Sequence, residues 1–199
     1  MDERELLART LPPPIDTAID GNFAGKVTDD LMFELRGWVS LPLVALALAG
    51  LLALLLALSR VPGAEHVLTW TGDSFFQKGL VAHVTFAFVV WYMGVHGALT
   101  VLMTAQTLGE RMQGFFSVVM GRVALFGAGV SLLLLLVPVL ADLGEPSLNN
   151  YVPVLDHPVY YAGLALLAGC VALPVIRLLI LLARERYADP AVFSIAAAG

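Results

Sequence analysis

Four stretches of this chain, 38–59, 79–104, 123–141 and 159–183, contain no aspartate or glutamate. Each is long enough to cross a hydrocarbon core of about 30 Å as a helix. Lipid offers nothing to hydrogen-bond a bare backbone, so segments of this kind must be helical and must pack on one another. A mean hydropathy of +0.85, with 59% apolar and 14% charged residues, excludes an ordinary soluble domain. The predicted fold class is all-α, a four-span transmembrane helix bundle.

Lysines and arginines set the expected orientation. Arg4, Arg9, Lys26 and Arg36 precede the first span, Arg111 and Arg122 lie between the second and third, and Arg177, Arg184 and Arg186 sit at or beyond the end of the fourth. Arg60 and Lys78 alone fall in the first outer loop, 60–78, and no basic residue falls in the second, 142–158. Basic residues are retained in cytoplasmic loops, so both termini are predicted cytoplasmic, in a multi-pass protein of the inner (cytoplasmic) membrane. Residues 1–36 are too polar and acidic for a secretory signal, and the first apolar stretch is expected to stay as a membrane helix.

Three regions follow from this reading: a polar cytoplasmic tail over 1–37, a four-helix membrane domain over 38–185, and 186–199 as a C-terminal tail or the start of a further apolar segment. Pro12, Pro13 and Pro14, and eight acidic residues against four basic ones, favour a solvated N-terminal tail. Thr28, Asp29 and Asp30 ahead of Leu31, Met32 and Phe33 also offer the start of a short helix at the membrane surface. Arg177 lies close enough to the inner end of its span to snorkel toward the headgroups. Cys170 is a single cysteine, which excludes a disulfide framework within the chain.

No phosphate loop, dinucleotide turn, His-Glu-x-x-His or serine elbow occurs. Basic residues are too few and scattered for nucleic acid. The chemistry-bearing residue is His83, early in the second span, because an imidazole in lipid is costly without a partner and is a functional-site candidate by default. On a uniform helix Gly79, Ala87, Val90, Gly94 and Gly97 share its face. Two readings are open at this point. A face of small residues lets a flat macrocycle lie beside the imidazole, or it lets a neighbouring helix pack closely with His83 hydrogen-bonded across. His96, thirteen residues on, is about 20 Å away and turned by roughly 140°, so the two histidines do not share one ligand. His66 reads as a solvated loop residue, and His157, in Leu155-Asp156-His157-Pro158, has no role that physical reasoning alone supplies.

The run Phe76-Gln77-Lys78-Gly79-Leu80-Val81-Ala82-His83 resembles the start of the second helix of the heme-copper oxygen reductase catalytic subunit, subunit I of cytochrome c oxidase, most closely its B-type branch. Tyr151, Pro153, His157, Tyr161 and Gly163 are similar in order and spacing to the loop entering that family's fourth helix. The resemblance covers about 75–189. It implies that His83 is an axial ligand of a low-spin haem b, with Gly79, Ala87 and Gly94 beside the macrocycle. The family's second axial ligand, copper ligands and cross-linked tyrosine belong to later helices. The resemblance therefore implies no copper and no oxygen reduction by this chain alone. The opposite axial position would come from other membrane subunits of a respiratory complex or from a homodimer, with cytochrome c or quinol as electron donor.

A cofactor-free structural or assembly subunit is the alternative expectation. A small transporter fits less well, since paired broken helices and midplane charges are lacking apart from Pro174. Asp142, Glu145 and Asp156 make the second outer loop acidic, which suits a basic redox carrier, but the plainer and preferred reading is a polar loop kept outside by having no lysine or arginine.

Overall fold

The computed structural model describes residues 29–63, 74–108, 114–148 and 152–188. The remainder of the expected N-terminal tail, His66, Tyr151 and the segment after 188 lie outside the described residues.

Helix α1 spans Asp29–Leu58. It begins nine residues before the apolar stretch, so residues 29–37 are helical and not the solvated tail expected from composition. Asp29 and Asp30 in its first turn complement the helix dipole. Leu31, Glu34, Trp38, Leu41, Ala45, Ala49, Leu52 and Leu56 recur three or four residues apart and are all buried, forming one continuous stripe that faces the bundle. The stripe carries the helix past the polar residues that hide its start.

The second span is continuous but not uniform. Helix α2, Phe75–Val84, passes into a π-helical turn, Thr85–Val90, and then into α3, Trp91–Leu108. Buried Ala82, Phe86, Val90 and Gly94 follow one another at intervals of four. In an ideal α-helix that spacing drifts by about 40° each time. The wider π turn, closed by i→i+5 bonds, takes up the drift and holds these residues in line.

The third span is α4, Phe115–Leu140. Its end is closed by a Schellman bond, the Leu143 N–H donating to the Pro138 carbonyl at 2.8 Å, with Asp142 in the left-handed region at φ 55°. The loop between the third and fourth spans adds a feature the all-α reading lacks: β1, Glu145–Ser147, pairs antiparallel with β2, Val154–Asp156, with Pro146 opposite Leu155. Pro158 then opens α5, Pro158–Ala188, the fourth span. All four spans are long and apolar enough to cross a membrane.

The most extensive helix interface is α4 with α5; α1 packs on the second span, the second span on α5, and α1 on α4, which closes a ring of four. The first turns of α1 and α4 and the last turns of α5 share one end. At the other end the buried Lys78 ammonium donates to the Asp142 carboxylate at 2.7 Å and to its carbonyl at 2.9 Å. Ser74 donates to the same carboxylate. These bonds, Lys78 first, hold the Asp142 carboxyl below its ordinary value of 3.8. A depressed carboxyl contributes stability above its unfolded value, and that contribution disappears as pH falls through the folded one. In thermal melts of the detergent-solubilised protein, wild type is expected to lose more melting temperature than Asp142→Asn between about pH 5 and pH 3. Parallel profiles for the two proteins would show that the contact carries no proton-linked stability.

Candidate functional site

His83 is half-buried on α2, facing α1. Its Nδ1 lies 2.9 Å from the Ala49 carbonyl oxygen. A carbonyl only accepts, so Nδ1 carries the hydrogen, and in the neutral imidazole Nε2 then keeps its lone pair. Among the described residues Nε2 has no hydrogen-bond partner, and it is not among the fully enclosed polar atoms. A bond from one ring nitrogen fixes the tautomer and orientation of the imidazole and leaves the other nitrogen open, whether to coordinate or simply to face its surroundings. Ala49 supplies the acceptor from the middle of the first span, and Gly50 beside it is exposed, with nothing within 4 Å of where a Cβ would stand.

The small residues expected to flank His83 divide. A Cβ on Gly79 would come within 2.9 Å of the Leu56 side chain, and one on Gly94 within 2.8 Å of the Pro42 ring. Gly97 sits against the Trp38 indole. These glycines admit α1 to close approach, the second of the two roles open for a small-residue face. Ala87 is half-buried and packs against the core. Among the described residues no three histidine, cysteine or carboxylate side chains gather to hold a metal ion.

The other histidines separate cleanly. His96 is exposed, and its carbonyl accepts the Thr100 hydroxyl at 2.9 Å. His157 acquires a local role: Nδ1 accepts the Val159 N–H at 3.3 Å, and its carbonyl accepts the N–H groups of Tyr160 and Tyr161. It caps the fourth span, with Pro158 in the first helical position where a missing N–H is harmless. Of the other residues in that loop pattern, Pro153 and Gly163 are buried and Tyr161 is exposed. Tyr160, fully buried, shares a 2.5 Å hydrogen bond with Thr85, the first residue of the π turn. The bond ties the turn that follows His83 to the fourth span.

The largest departure from sequence reasoning is at the opposite end. Arg177 does not snorkel; it is 1% exposed and forms a two-pronged pair with Glu34, Nη1 to Oε2 at 2.9 Å and Nη2 to Oε1 at 2.7 Å. Nη1 also donates to the Ser117 carbonyl at 3.1 Å. The pair joins the first, third and fourth spans. Gly121 lies against both its partners, and a side chain there would displace them. Glu34 was hidden in the polar tail. The available signal was Arg177, an apparently unpaired cation inside an apolar segment, which calls for a carboxylate elsewhere in the chain.

No family model matches the chain, and no solved structure matches it. An uncharacterized protein of Aquifex aeolicus (strain VF5) is 32% identical to it over 130 residues, 65% of this chain and 30% of that protein. The chain thus spans less than a third of the length of the relative it matches.

Proposed function

We propose that the chain is a haem-binding subunit of a respiratory complex in the cytoplasmic membrane, with His83 as one axial ligand of a haem b and both termini in the cytoplasm. The observation that carries the reading is the His83 imidazole, anchored through Nδ1 on the Ala49 carbonyl with Nε2 free. Bound there, the haem would supply one-electron transfer. The residues of the chain would hold and orient the axial nitrogen. Ala49 keeps the proton on Nδ1 and makes Nε2 the coordinating atom, and the Thr85–Tyr160 bond steadies the turn that follows. Of the residues expected beside the macrocycle, Gly79 and Gly94 instead receive α1, so the fit rests on His83 with Ala87 and the open surface at Gly50. The opposite ligand belongs to another subunit or to a second copy, and the electron donor is quinol or cytochrome c.

The test is a reduced-minus-oxidised spectrum of the membrane-extracted protein with its native partners. A b-type haem band is expected for wild type and its loss for His83→Ala, while Ala49→Val, which keeps the carbonyl, retains it. A missing band in wild type, or one that persists in His83→Ala, overturns the proposal.

One observation favours a second reading. The same imidazole bond joins the first two spans at a point where Gly79, Gly94 and Gly97 let them touch, which suits a cofactor-free structural or assembly subunit. On that reading His83→Ala removes about 1 kcal/mol of helix association and leaves the protein colourless throughout.

A further inference from the structure

At the end of the bundle that holds the Arg177–Glu34 pair, a groove of about 500 Å³ opens on the outer surface between α1 and α4, lined by Phe33, Arg122, Leu125 and Phe126. Its volume lies within the range of about 300–1,000 Å³ typical of small-ligand sites. Gly37 keeps the floor low, since a Cβ there would collide with Leu125. The walls are two phenylalanines standing clear of the protein, Phe33 at 59% and Phe126 at 76% exposure. Exposed Arg36 and Arg122 beside these rings mark this end of the spans as the level at which headgroups give way to acyl chains, since a guanidinium on a span reaches for the interface.

Charge selects among the lipids that reach such a groove. The exposed Arg122 guanidinium uses only Nη2, which donates to one oxygen of Asp30 at 2.6 Å. Among the described residues its Nε and Nη1 have no partner. Arg36, less than one turn after Phe33 on α1, is exposed and likewise makes no ion pair among the described residues. A guanidinium with free donors on its fork matches a phosphate, and the apolar walls below match the chain attached to it. A zwitterionic lipid brings its own cation to the same place and loses that advantage.

We propose that this groove is a binding site for an anionic phospholipid of the surrounding bilayer, its phosphate on Arg122 and one acyl chain between Phe33 and Phe126. Asp30 competes with the phosphate for the guanidinium, so the two ends of the ion pair act in opposite directions. A structural salt bridge would make their removal act in the same direction.

The experiment reconstitutes the full chain in vesicles of equal phosphatidylglycerol and phosphatidylcholine, extracts it in mild detergent and counts retained lipid by native mass spectrometry. Wild type is expected to retain phosphatidylglycerol over phosphatidylcholine by about fivefold, the ratio one basic side chain supports near an anionic lipid. Arg122→Gln should reduce the ratio to about one, Asp30→Asn should raise it above wild type, and Phe126→Ala should lower retention of both lipids. Retention of the two lipids in equal amounts by wild type, or an unchanged ratio in Arg122→Gln, overturns the proposal. So does a dimer that carries no lipid and dissociates in Phe126→Ala, which would assign the groove to a second copy of the chain. Far-ultraviolet circular dichroism identifies any variant that fails to fold, and Asp30→Asn then carries the test.

Discussion

Arg177→Leu is expected to lose about 3–5 kcal/mol of bundle stability, because it leaves the Glu34 carboxylate buried without its counter-charge. Glu34 is 6% exposed, too enclosed for water to replace the guanidinium. The bond to the Ser117 carbonyl goes with it, so three spans lose a common contact. The measurement is the monodisperse fraction on size-exclusion chromatography after a graded heat step in mild detergent. The double variant Glu34→Gln with Arg177→Met should recover most of the loss, since a paired buried charge contributes little net stability while an orphaned one is strongly unfavourable. A single variant as stable as wild type would mean that Glu34 and Arg177 do not meet inside the bundle.

Gly97→Val is expected to lose about 3 kcal/mol by a different route. A Cβ at position 97 would overlap the six-membered ring of Trp38, which is fully buried and has no free volume to move into. The first two spans would have to separate along the contact that also seats Gly94 on Pro42 and brings His83 to the Ala49 carbonyl. The same heat-step assay should show the loss, and Trp38→Leu in the Gly97→Val background should restore a good part of it. Gly50→Ala is the control: its Cβ meets nothing within 4 Å, so it should melt with wild type. Equal melting of Gly97→Val and Gly50→Ala would overturn the packing of α1 on the second span.

What could be read from the residues was set by how far each interaction reaches. The four spans are a property of continuous apolar runs and were legible to within a few residues at most ends. The start of α1 was legible only in part: Thr28, Asp29 and Asp30 offered a helix start, but the acidic turn and the buried Glu34 lower the hydropathy there and hid its continuity with the span. Glu34 and Arg177 stand 143 residues apart, and neither position carries a local pattern that names the other. His83 stood out because an imidazole is conspicuous among apolar neighbours. Its anchor is a backbone carbonyl, which every residue possesses, so Ala49 was invisible beforehand. The hairpin of β1 and β2 was missed because strands of three residues are too short to show an alternating pattern. The capping role of His157 follows from a bond two residues long, and Pro158 directly after it was the local clue.

The π turn from Thr85 to Val90 means that the second span is written in two rotational frames, joined where one extra residue has been absorbed. Removing one residue from the turn would convert the intervals of four into the ordinary 4-3-4 spacing of an α-helix and leave everything after it in nearly the same rotational phase. Gly94 and Gly97 would stay against the first span, whereas the same deletion in the α-helical stretch between the turn and Gly94 would swing them away by about 100° while His83, upstream, kept its seat. Length polymorphism in this span is therefore accommodated at a single hexapeptide, because a residue lost there leaves the phasing of both halves intact and one lost elsewhere does not.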